Sequence, residues 1–361
     1  MCLGGKNFIS LKNILVCPLD WGLGHATRCI PVIWGLQRQG AEVLIASSGA
    51  ALQLLKQEFP GQATFELPPY APAYPTSGSM MLRMMKQLPK FRKVIREEHD
   101  CVERWVHENK IDIVISDNRY GCWSSSARSI FISHQVHPLM PSGFGWLSPM
   151  VQAFIDRHLL KFEQIWIPDR PGSGMTDAFN PKPKSNHKYI GWLSRFSAKQ
   201  AREKKYEIIA LVSGPEPQRT IFEKLLTDQL KAIGKKSLLV AGEPEKPYHR
   251  FEDNLEIVNH LSSQLLKGAI LSSEIVISRS GYSTIMDLIA LGGKAIFIPT
   301  PQQPEQLFFA EYCKRKQFAF YSDQAAFSLP GALEESKKYK GLAEFTMEGD
   351  YLANAISTLL Q

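Results

Sequence analysis

The sequence lacks the features that mark several large classes of protein. Its six cysteines are scattered without a CxxC pair, so neither a disulfide framework nor a zinc site is expected. No apolar run approaches the roughly twenty residues that a membrane-spanning helix needs. There is no Asp-x-Asp pair and no repeat of fixed period, and glycine and proline are too few for a disordered chain. The residues therefore predict a soluble, cytoplasmic globular protein, with no metal or cofactor expected.

What is present is an ordinary composition with an excess of positive charge. The chain has 361 residues, of which 44% are hydrophobic, and a net charge of +7, which suits anionic partners such as nucleotides. Part of the excess lies in the segment Arg83–Arg96, where basic residues alternate with Met, Leu and Phe. Such a segment is typical either of a peripheral contact with the inner face of an anionic membrane or of an ordinary surface helix. Nucleic-acid binding is not expected, because no motif for it occurs.

Short apolar runs alternate with amphipathic segments along the whole chain. This alternation predicts parallel sheets covered by helices on both faces, and two such series predict two doubly wound, Rossmann-like α/β domains. We expect the first domain over residues 1–192, the second over 193–345, and a C-terminal helix within 346–361 that returns to the first. The polar, proline-rich stretch Asp169–Lys188 is expected to join the domains, with Ala198–Lys205 leading into the second. The predicted strands are Asn13–Leu19, Glu42–Ser48, Asp112–Asp117, Ser129–His134, Gln164–Pro168, Glu207–Ser213, Ser237–Ala241, Leu255–Asn259, Ile275–Ser278, Ala295–Pro299 and Phe318–Tyr321.

The first strand leads into a glycine loop that contains Gly22, Gly24 and His25. Glycines at a strand-to-helix turn let a ligand approach the positive end of a helix, although they also serve as plain turn residues. NAD binding is not expected, because Thr27 takes the place of the third glycine of a dinucleotide fingerprint. The helix start disfavours a protonated His25, which suits a general base. The alternative is a histidine that only hydrogen-bonds the acceptor or the backbone.

A second loop and helix, over Ser278–Asp287, has the most informative spacing in the chain. Ser280, Thr284 and Asp287 differ by four and three positions and are predicted to share one helix face. Phosphate oxygens are favoured at the helix start, and Asp287 is about 10 Å further along, where a carboxylate can accept both hydroxyls of a ribose. The alternative is a capped helix with one acid facing solvent. Gln303 and Gln306 follow, with carboxamides that can pair with sugar hydroxyls.

These motifs, taken in order, resemble those of GT-B glycosyltransferases of the MurG type. The match consists of Gly22–His25, His134–Gln135, the loop at Ser213, the segment Ser278–Asp287 and Gln303–Gln306. The resemblance implies a GT-B fold, with two Rossmann-like domains facing across a cleft. It also implies an inverting, metal-independent transfer of a hexose or N-acetylhexosamine from a UDP-sugar to an acceptor hydroxyl. The acceptor is expected to be a glycan or a lipid-linked molecule of the cell envelope, but its identity is not predicted.

The resemblance also assigns roles to individual residues. His25 is the candidate base, with Asp117 and His134 as substitutes, and Arg279 is expected to help the helix start neutralise the diphosphate. Leu261 matches a position whose backbone reads the uracil ring. The residues expected to bind the nucleotide-sugar are Gly22, Gly24, Ser213, Gly214, Leu261, Arg279, Ser280, Gly281, Ser283, Thr284, Asp287, Gln303 and Gln306.

Three features depart from the family pattern. The loop at Ser213 is rich in proline, the ribose acid is Asp instead of Glu, and the segment Asp117–Gly121 does not match the family's acceptor-side residues. Two other functions stay open on these residues. One is a UDP-sugar 2-epimerase, which has the same two-domain layout, and the other is a non-catalytic protein that binds a nucleotide-sugar.

Overall fold

A computed structural model describes residues 11–73, 80–141, 143–172, 175–181, 183–196, 202–244, 247–343 and 349–361. Within these ranges the chain forms two seven-stranded sheets, each with helices on both faces. The five cysteines in the described ranges have free thiols, and Cys2 lies outside those ranges. The prediction of two doubly wound α/β domains is confirmed.

The first domain is built on an entirely parallel sheet. Its strand order is β3-β2-β1-β4-β5-β6-β7, so the order reverses between β1 and β4. At such a reversal the loops leave opposite faces of the sheet and open a crevice at the carboxyl ends of the strands. The elements are β1 Asn13–Pro18, α1 Leu23–Arg38, β2 Glu42–Ser47, α2 Gly49–Glu58, β3 Thr64–Glu66, α3 Met80–Lys86, α4 Leu88–Glu108, β4 Ile113–Asp117, β5 Arg128–Ile132, α5 Ser148–Leu159, β6 Gln164–Ile167 and β7 His187–Tyr189.

The second domain repeats this plan with one antiparallel edge strand. Its strand order is β10-β11-β9-β8-β12-β13-β14, with the reversal between β8 and β12 and with β10 antiparallel to β11. The elements are β8 Tyr206–Leu211, α6 Gln218–Ile233, β9 Ser237–Val240, β10 His249–Glu252, β11 Leu255–Val258, α7 Ser263–Leu271, β12 Ser273–Ser278, α8 Tyr282–Leu291, β13 Ala295–Phe297, α9 Pro304–Arg315, β14 Phe320–Tyr321 and α10 Leu329–Ser336. The last helix of the chain is α11 Tyr351–Leu360.

The connection between the domains differs from the prediction. The stretch Asp169–Lys188 is not a linker, because His187–Tyr189 forms β7 and pairs with β6 in the first sheet. Two of its apolar side chains, Met175 and Phe179, are buried in the core of the second domain. The stretch therefore packs along the domain interface, and the chain leaves the first sheet only after Tyr189. Half of the predicted lead-in Ala198–Lys205, residues 198–201, lies outside the described residues.

The last helix returns to the first domain. Ala355, Ile356 and Leu359 of α11 are buried in the same core cluster as the apolar face of α1. A Cβ on Gly35 would lie 2.6 Å from Cδ1 of Ile356, so a larger residue there would force the Ile356 side chain to shift. This contact ties the end of the chain to the helix that follows the first glycine loop.

The eleven predicted strands all occur, with bounds that shift by up to two residues. Strands β3, β7 and β10 are not predicted from the sequence. These strands have few buried residues: β3 and β7 are half-buried, and three of the four residues of β10 are exposed. Because an edge strand buries little apolar surface, it lacks the continuous hydrophobic run that marks the central strands.

Candidate active site

The two strand reversals face each other, and the loops that follow β1 and β12 meet between the domains. Gly22 begins α1 with φ +86°, a conformation that strains any residue with a Cβ. The Ser283 hydroxyl in the first turn of α8 donates to the carbonyl oxygen of Gly24 at 2.8 Å. The starts of α1 and α8 therefore touch, and the residues around both can act on one bound molecule.

His25 lies in the first turn of α1, beside this contact. Its Nδ1 is 3.2 Å from Oδ1 of Asp117, and 18% of its side chain is exposed. Burial lowers the pKa of His25, the Arg28 guanidinium lowers it further, and the Asp117 carboxylate opposes both. The imidazole is therefore uncharged near neutral pH, as a general base must be.

Asp117 ends β4 and is fully buried. Arg28, one turn after His25 on α1, donates from Nε to Oδ2 of Asp117 at 2.6 Å and from Nη2 to Oδ1. Burial alone would raise the pKa of Asp117, but Arg28 and His25 outweigh it and hold that pKa well below its usual range. The carboxylate therefore stays ionised and can orient His25.

His134 connects this group to the second domain. Nη1 of Arg28 is 2.7 Å from Nδ1 of His134, while Nε2 of His134 is 3.0 Å from Oε1 of Glu305 at the start of α9. The imidazole ring of His134 is stacked on Tyr282, with 4.5 Å between ring centres. Burial raises the pKa of Glu305, but His134 and then Arg28 lower it, and the net result is a lowered pKa. A continuous polar chain thus crosses the interface from Asp117 to Glu305.

The start of α8 is built differently from the sequence prediction. The helix begins at Tyr282, after the N-cap Gly281, so Ser280 does not share a helix face with Thr284 and Asp287. The Ser280 hydroxyl is buried and donates to the carbonyl oxygen of Gln306 at 2.7 Å. No side chain caps the helix, so its first backbone N–H groups are the donors at this end. The half-buried hydroxyl of Thr284 lies in the same first turn.

Arg279 does not serve the helix start through its side chain. Its guanidinium is buried, donates to the carbonyl oxygens of Ile298 and Pro299 at 3.0 and 3.1 Å, and lies over the ring of Phe222. Burial lowers the pKa of Arg279 to about 9. The expectation that this side chain helps neutralise a diphosphate is wrong, because it is committed to holding two loops of its own domain.

Asp287 lies one turn further along α8 and faces the segment between the domains. Its carboxylate accepts from the Ser194 hydroxyl at 2.7 Å and from Nε of Arg195 at 3.2 Å. Burial raises the pKa of Asp287, although Arg195 and Ser194 oppose that rise. The alternative of an acid facing solvent is excluded, since its side chain is only 11% exposed.

The other predicted donor residues lie in loops that follow strands of the second domain or precede its helices. Oε1 of Gln303 caps α9 through the backbone N–H of Gln306 at 3.0 Å, and Oε1 of Gln306 accepts from the backbone N–H of Thr300 at 2.8 Å. Both carboxamides therefore stiffen the loop with their oxygens, and their NH2 groups are the donors that can face a sugar. Leu261 is half-buried just before α7, and Ser213 and Gly214 follow β8, where Gly214 has φ +111°.

A pocket of about 620 Å³ opens beside Arg195, between the domains. Arg195, Phe196 and Ser263 line one side, and Trp34 with Arg38 of α1 lines the other. Nη1 of Arg195 is 3.4 Å from the Ser263 hydroxyl, so the same guanidinium joins the pocket wall to Asp287.

Comparisons with known proteins relate this chain to glycosyltransferases. Residues 224–344 match the glycosyltransferase family 28 C-terminal domain. An uncharacterized glycosyltransferase of Methanosarcina acetivorans is 24% identical over 327 residues, which cover 81% of each chain. The chain is a glycosyltransferase. Among solved structures, the glycosyltransferase SnogD from Streptomyces nogalater has 14% identity and a TM-score of 0.63, with 98% of this chain and 100% of that chain covered.

A second solved neighbour carries a nucleotide. It is a glycosyltransferase of Streptomyces sp. SF2575 in complex with thymidine diphosphate, with 13% identity, a TM-score of 0.55, and coverage of 97% and 95% of the two chains. At these identities the likeness shows the fold alone, and that fold is GT-B. The predicted fold class and enzyme class are thus confirmed.

Arg28, Ser194, Arg195 and Glu305 were not predicted from the sequence. Arg28 lies three positions after His25, just beyond the motif Gly22–His25, whereas Glu305 lies within Gln303–Gln306. No sequence pattern marks Arg195 as a site residue, because an arginine just after a domain boundary cannot be distinguished from an ordinary surface cation. Each was missed because its importance comes from a partner distant in sequence.

The segment Arg83–Arg96 forms the end of α3 and the start of α4, and all six of its basic side chains are exposed. Leu82 and Leu88 are also exposed, while Val94 and Glu98 turn toward the domain. Among the helices in the described part of the chain, none is long and apolar enough to cross a membrane. The same residues contain no group of three or more His, Cys, Asp or Glu side chains placed to hold a metal.

Proposed function

We propose that the protein transfers a hexose or N-acetylhexosamine from a UDP-sugar to an acceptor hydroxyl, with inversion at the anomeric carbon. The observation that carries this proposal is the contact between Ser283 and Gly24, which places the base candidate His25 beside the open start of α8. A diphosphate bound at that helix start has its sugar next to the imidazole. The base and the leaving group are thus brought to the same point in the cleft.

In the proposed step, His25 accepts the proton of the acceptor hydroxyl on Nε2. The acceptor oxygen bonds to the anomeric carbon as the bond from that carbon to the β-phosphate oxygen breaks, and UDP leaves with the electron pair. Asp117 accepts from Nδ1 of the imidazolium that forms, and so stabilises it. The backbone N–H groups and the helix dipole of α8 stabilise the charge on the departing diphosphate, the task a metal ion performs in other transferases.

The rest of the donor fits the residues that follow along α8. The ribose hydroxyls would exchange with Ser194 and Arg195 as partners of Asp287, and the base would enter the adjacent pocket near Leu261. The NH2 groups of Gln303 and Gln306 would bind the sugar hydroxyls. A solved neighbour of the same fold holds thymidine diphosphate, so the choice between uracil and thymine is the first point to test.

A thermal-shift screen of UDP-, dTDP-, GDP- and CDP-sugars tests the donor, because a ligand that binds the folded state raises the melting temperature. We expect the largest shift with a UDP-sugar, and a larger shift with another base would refute the uridine assignment. Incubation of the preferred donor with and without hydroxyl acceptors then tests the reaction by UDP release and product mass. Isomerised sugar without acceptor would indicate an epimerase, and binding without any turnover would indicate a binding protein.

The exposed basic face of Arg83–Arg96 supports a second, separate proposal, that the enzyme contacts the inner face of an anionic membrane to reach a lipid-linked acceptor. Each exposed cation near such a surface contributes about 1 kcal/mol. Flotation with vesicles of phosphatidylcholine and phosphatidylglycerol tests it. We expect the wild type to bind, and a variant with the six cations changed to Gln to stay unbound. Equal flotation of both proteins would contradict the proposal.

A further inference from the structure

The guanidinium of Arg28 contacts more groups than an ion pair with one carboxylate requires. It is buried on α1 and contacts Asp117 with two nitrogens, Nδ1 of His134 at 2.7 Å and Nδ1 of His25 at 2.9 Å. These partners come from three separate parts of the first domain. A buried arginine with every edge of its guanidinium occupied fixes the positions of all three partners.

The hydrogen bonds also limit where protons can lie. Arginine only donates, so Nδ1 of His134 must be unprotonated and its proton lies on Nε2, which donates to Glu305. At His25, Nδ1 lies 2.9 Å from Nη2 of Arg28 and 3.2 Å from Oδ1 of Asp117, so it accepts from Arg28 when it is unprotonated and donates to Asp117 when it carries the proton. The form that acts as a base is the second one, with the proton on Nδ1 and with Nε2 unprotonated. In that form Nδ1–H of His25 and Nη2–H of Arg28 both donate to Oδ1 of Asp117. If Nε2 of His25 were protonated as well, the imidazolium and the Arg28 guanidinium would be two cations sharing the Asp117 carboxylate.

The charges around His25 follow from this arrangement. Its charged neighbours are Arg28 on its own helix and Asp117 at the end of β4, and beyond them lie His134 and the Glu305 carboxylate of α9. The Cys29 thiol, also on α1, donates to Asp117. The Arg28 cation cancels the Asp117 carboxylate. Without it, His25 would lie beside a buried, uncompensated negative charge, which favours imidazolium. An imidazolium cannot accept a proton from the acceptor.

We propose that Arg28 is the positioning residue that keeps His25 uncharged and aligned for proton acceptance, by neutralising Asp117 and holding it in place. This inference rests on the proposed function, because it assigns a role within the same transfer step. Arg28 does not touch the reacting atoms. Its effect reaches them through Asp117, and through His134 it also bears on the loop that begins α9.

The test is the pH dependence of kcat/KM for transfer by the wild type, Arg28→Met, Arg28→Lys, Asp117→Asn and the double variant Arg28→Met with Asp117→Asn. For Arg28→Met we expect a loss at least about tenfold greater at about pH 6 than at about pH 9, because His25 becomes protonated at the lower pH. Arg28→Lys should restore much of the activity at low pH, since it restores the charge. Arg104→Met, an exposed arginine of α4, is the control and should match the wild type.

The double variant separates an electrostatic role from a structural one. Once Asp117 is also neutral, the selective loss at low pH should disappear, although overall turnover stays reduced. A uniform loss across pH in Arg28→Met, with no dependence on Asp117, would overturn the proposal and make Arg28 a packing residue. An inactive wild type would instead refute the proposed function.

A direct measurement covers the case in which Arg28→Met does not fold. Titration of the His25 ring by NMR, assigned with His25→Gln, reports its protonation without any activity. In Asp117→Asn, Arg28 is left as an uncompensated cation, so His25 should protonate at lower pH than in the wild type. A shift in the opposite direction, or none, would contradict the assigned role of Arg28.

Discussion

The Asp287 carboxylate gives the sharpest quantitative test of the donor site. It lies on the second turn of α8, buried, with Ser194 and Arg195 as its partners in the absence of a donor. If a ribose takes over this carboxylate, its two hydroxyls replace these two bonds. The net gain is then about that of one charge-assisted hydrogen bond, roughly 1.5–3 kcal/mol, so Asp287→Ala should weaken UDP binding about 10- to 150-fold.

The assay is calorimetric titration of UDP and of 2′,3′-dideoxy-UDP into the wild type and Asp287→Ala. If Asp287 holds the ribose, the dideoxy ligand should already lack the interaction, and the variant should then lose little further affinity for it. Asp228→Asn, which removes an exposed carboxylate of α6 paired with Lys224, serves as the control and should bind both ligands normally. If the binding free energy lost through Asp287→Ala and that lost through the dideoxy ligand simply add, the assignment of Asp287 to the ribose is refuted.

The loss of folding stability in Asp287→Ala needs a separate measurement. Asp287→Ala leaves Arg195 largely buried without its anionic partner, and breaking a buried pair costs about 3–5 kcal/mol. Thermal unfolding without ligand measures that cost separately from binding. Changing Arg195 to Leu in the same protein should recover much of the stability while UDP affinity stays low.

Three further predictions concern the first glycine loop and its partners. His25→Gln should lower kcat about 10²- to 10⁴-fold while leaving the Kd for UDP unchanged, as measured by stopped assays and titration, and an unchanged kcat would remove His25 as the base. Gly22→Ala should cost about 1–2 kcal/mol in urea unfolding, because φ is +86° there, whereas Gly61→Ala, at a glycine without positive φ, should cost less. The pKa of Asp117 is lowered on folding, so the ionised carboxylate stabilises the protein above pH 3.8, its ordinary pKa, and this stabilisation is lost as the pH falls below that value. Acid unfolding of Asp117→Asn, followed by circular dichroism, should therefore lack the part of the pH dependence that Asp117 causes in the wild type.

The sequence by itself determined the architecture and the places where a ligand can bind. Central parallel strands are buried on both faces, so each is a continuous apolar run, and the loops after β1 and β12 can be recognised by their glycines. Periodicity encodes how a segment is buried, and burial in a doubly wound sheet is repeated from strand to strand. For this reason the two doubly wound domains followed from local patterns and the GT-B fold from the resemblance of the motifs, while edge strands such as β10, which bury little, were not predicted.

Only the tertiary structure decided which side chains of each motif are available for chemistry. Arg279 and Ser280 belong to the predicted donor segment, yet their polar groups are bonded to backbone carbonyls of neighbouring loops. Conversely, Arg28 meets Asp117, and Asp287 meets Arg195, across separations of 89 and 92 residues. Such pairs depend on the order of the strands and on how the two domains face each other, and these long-range distances are not encoded in the spacing of residues along one helix or loop.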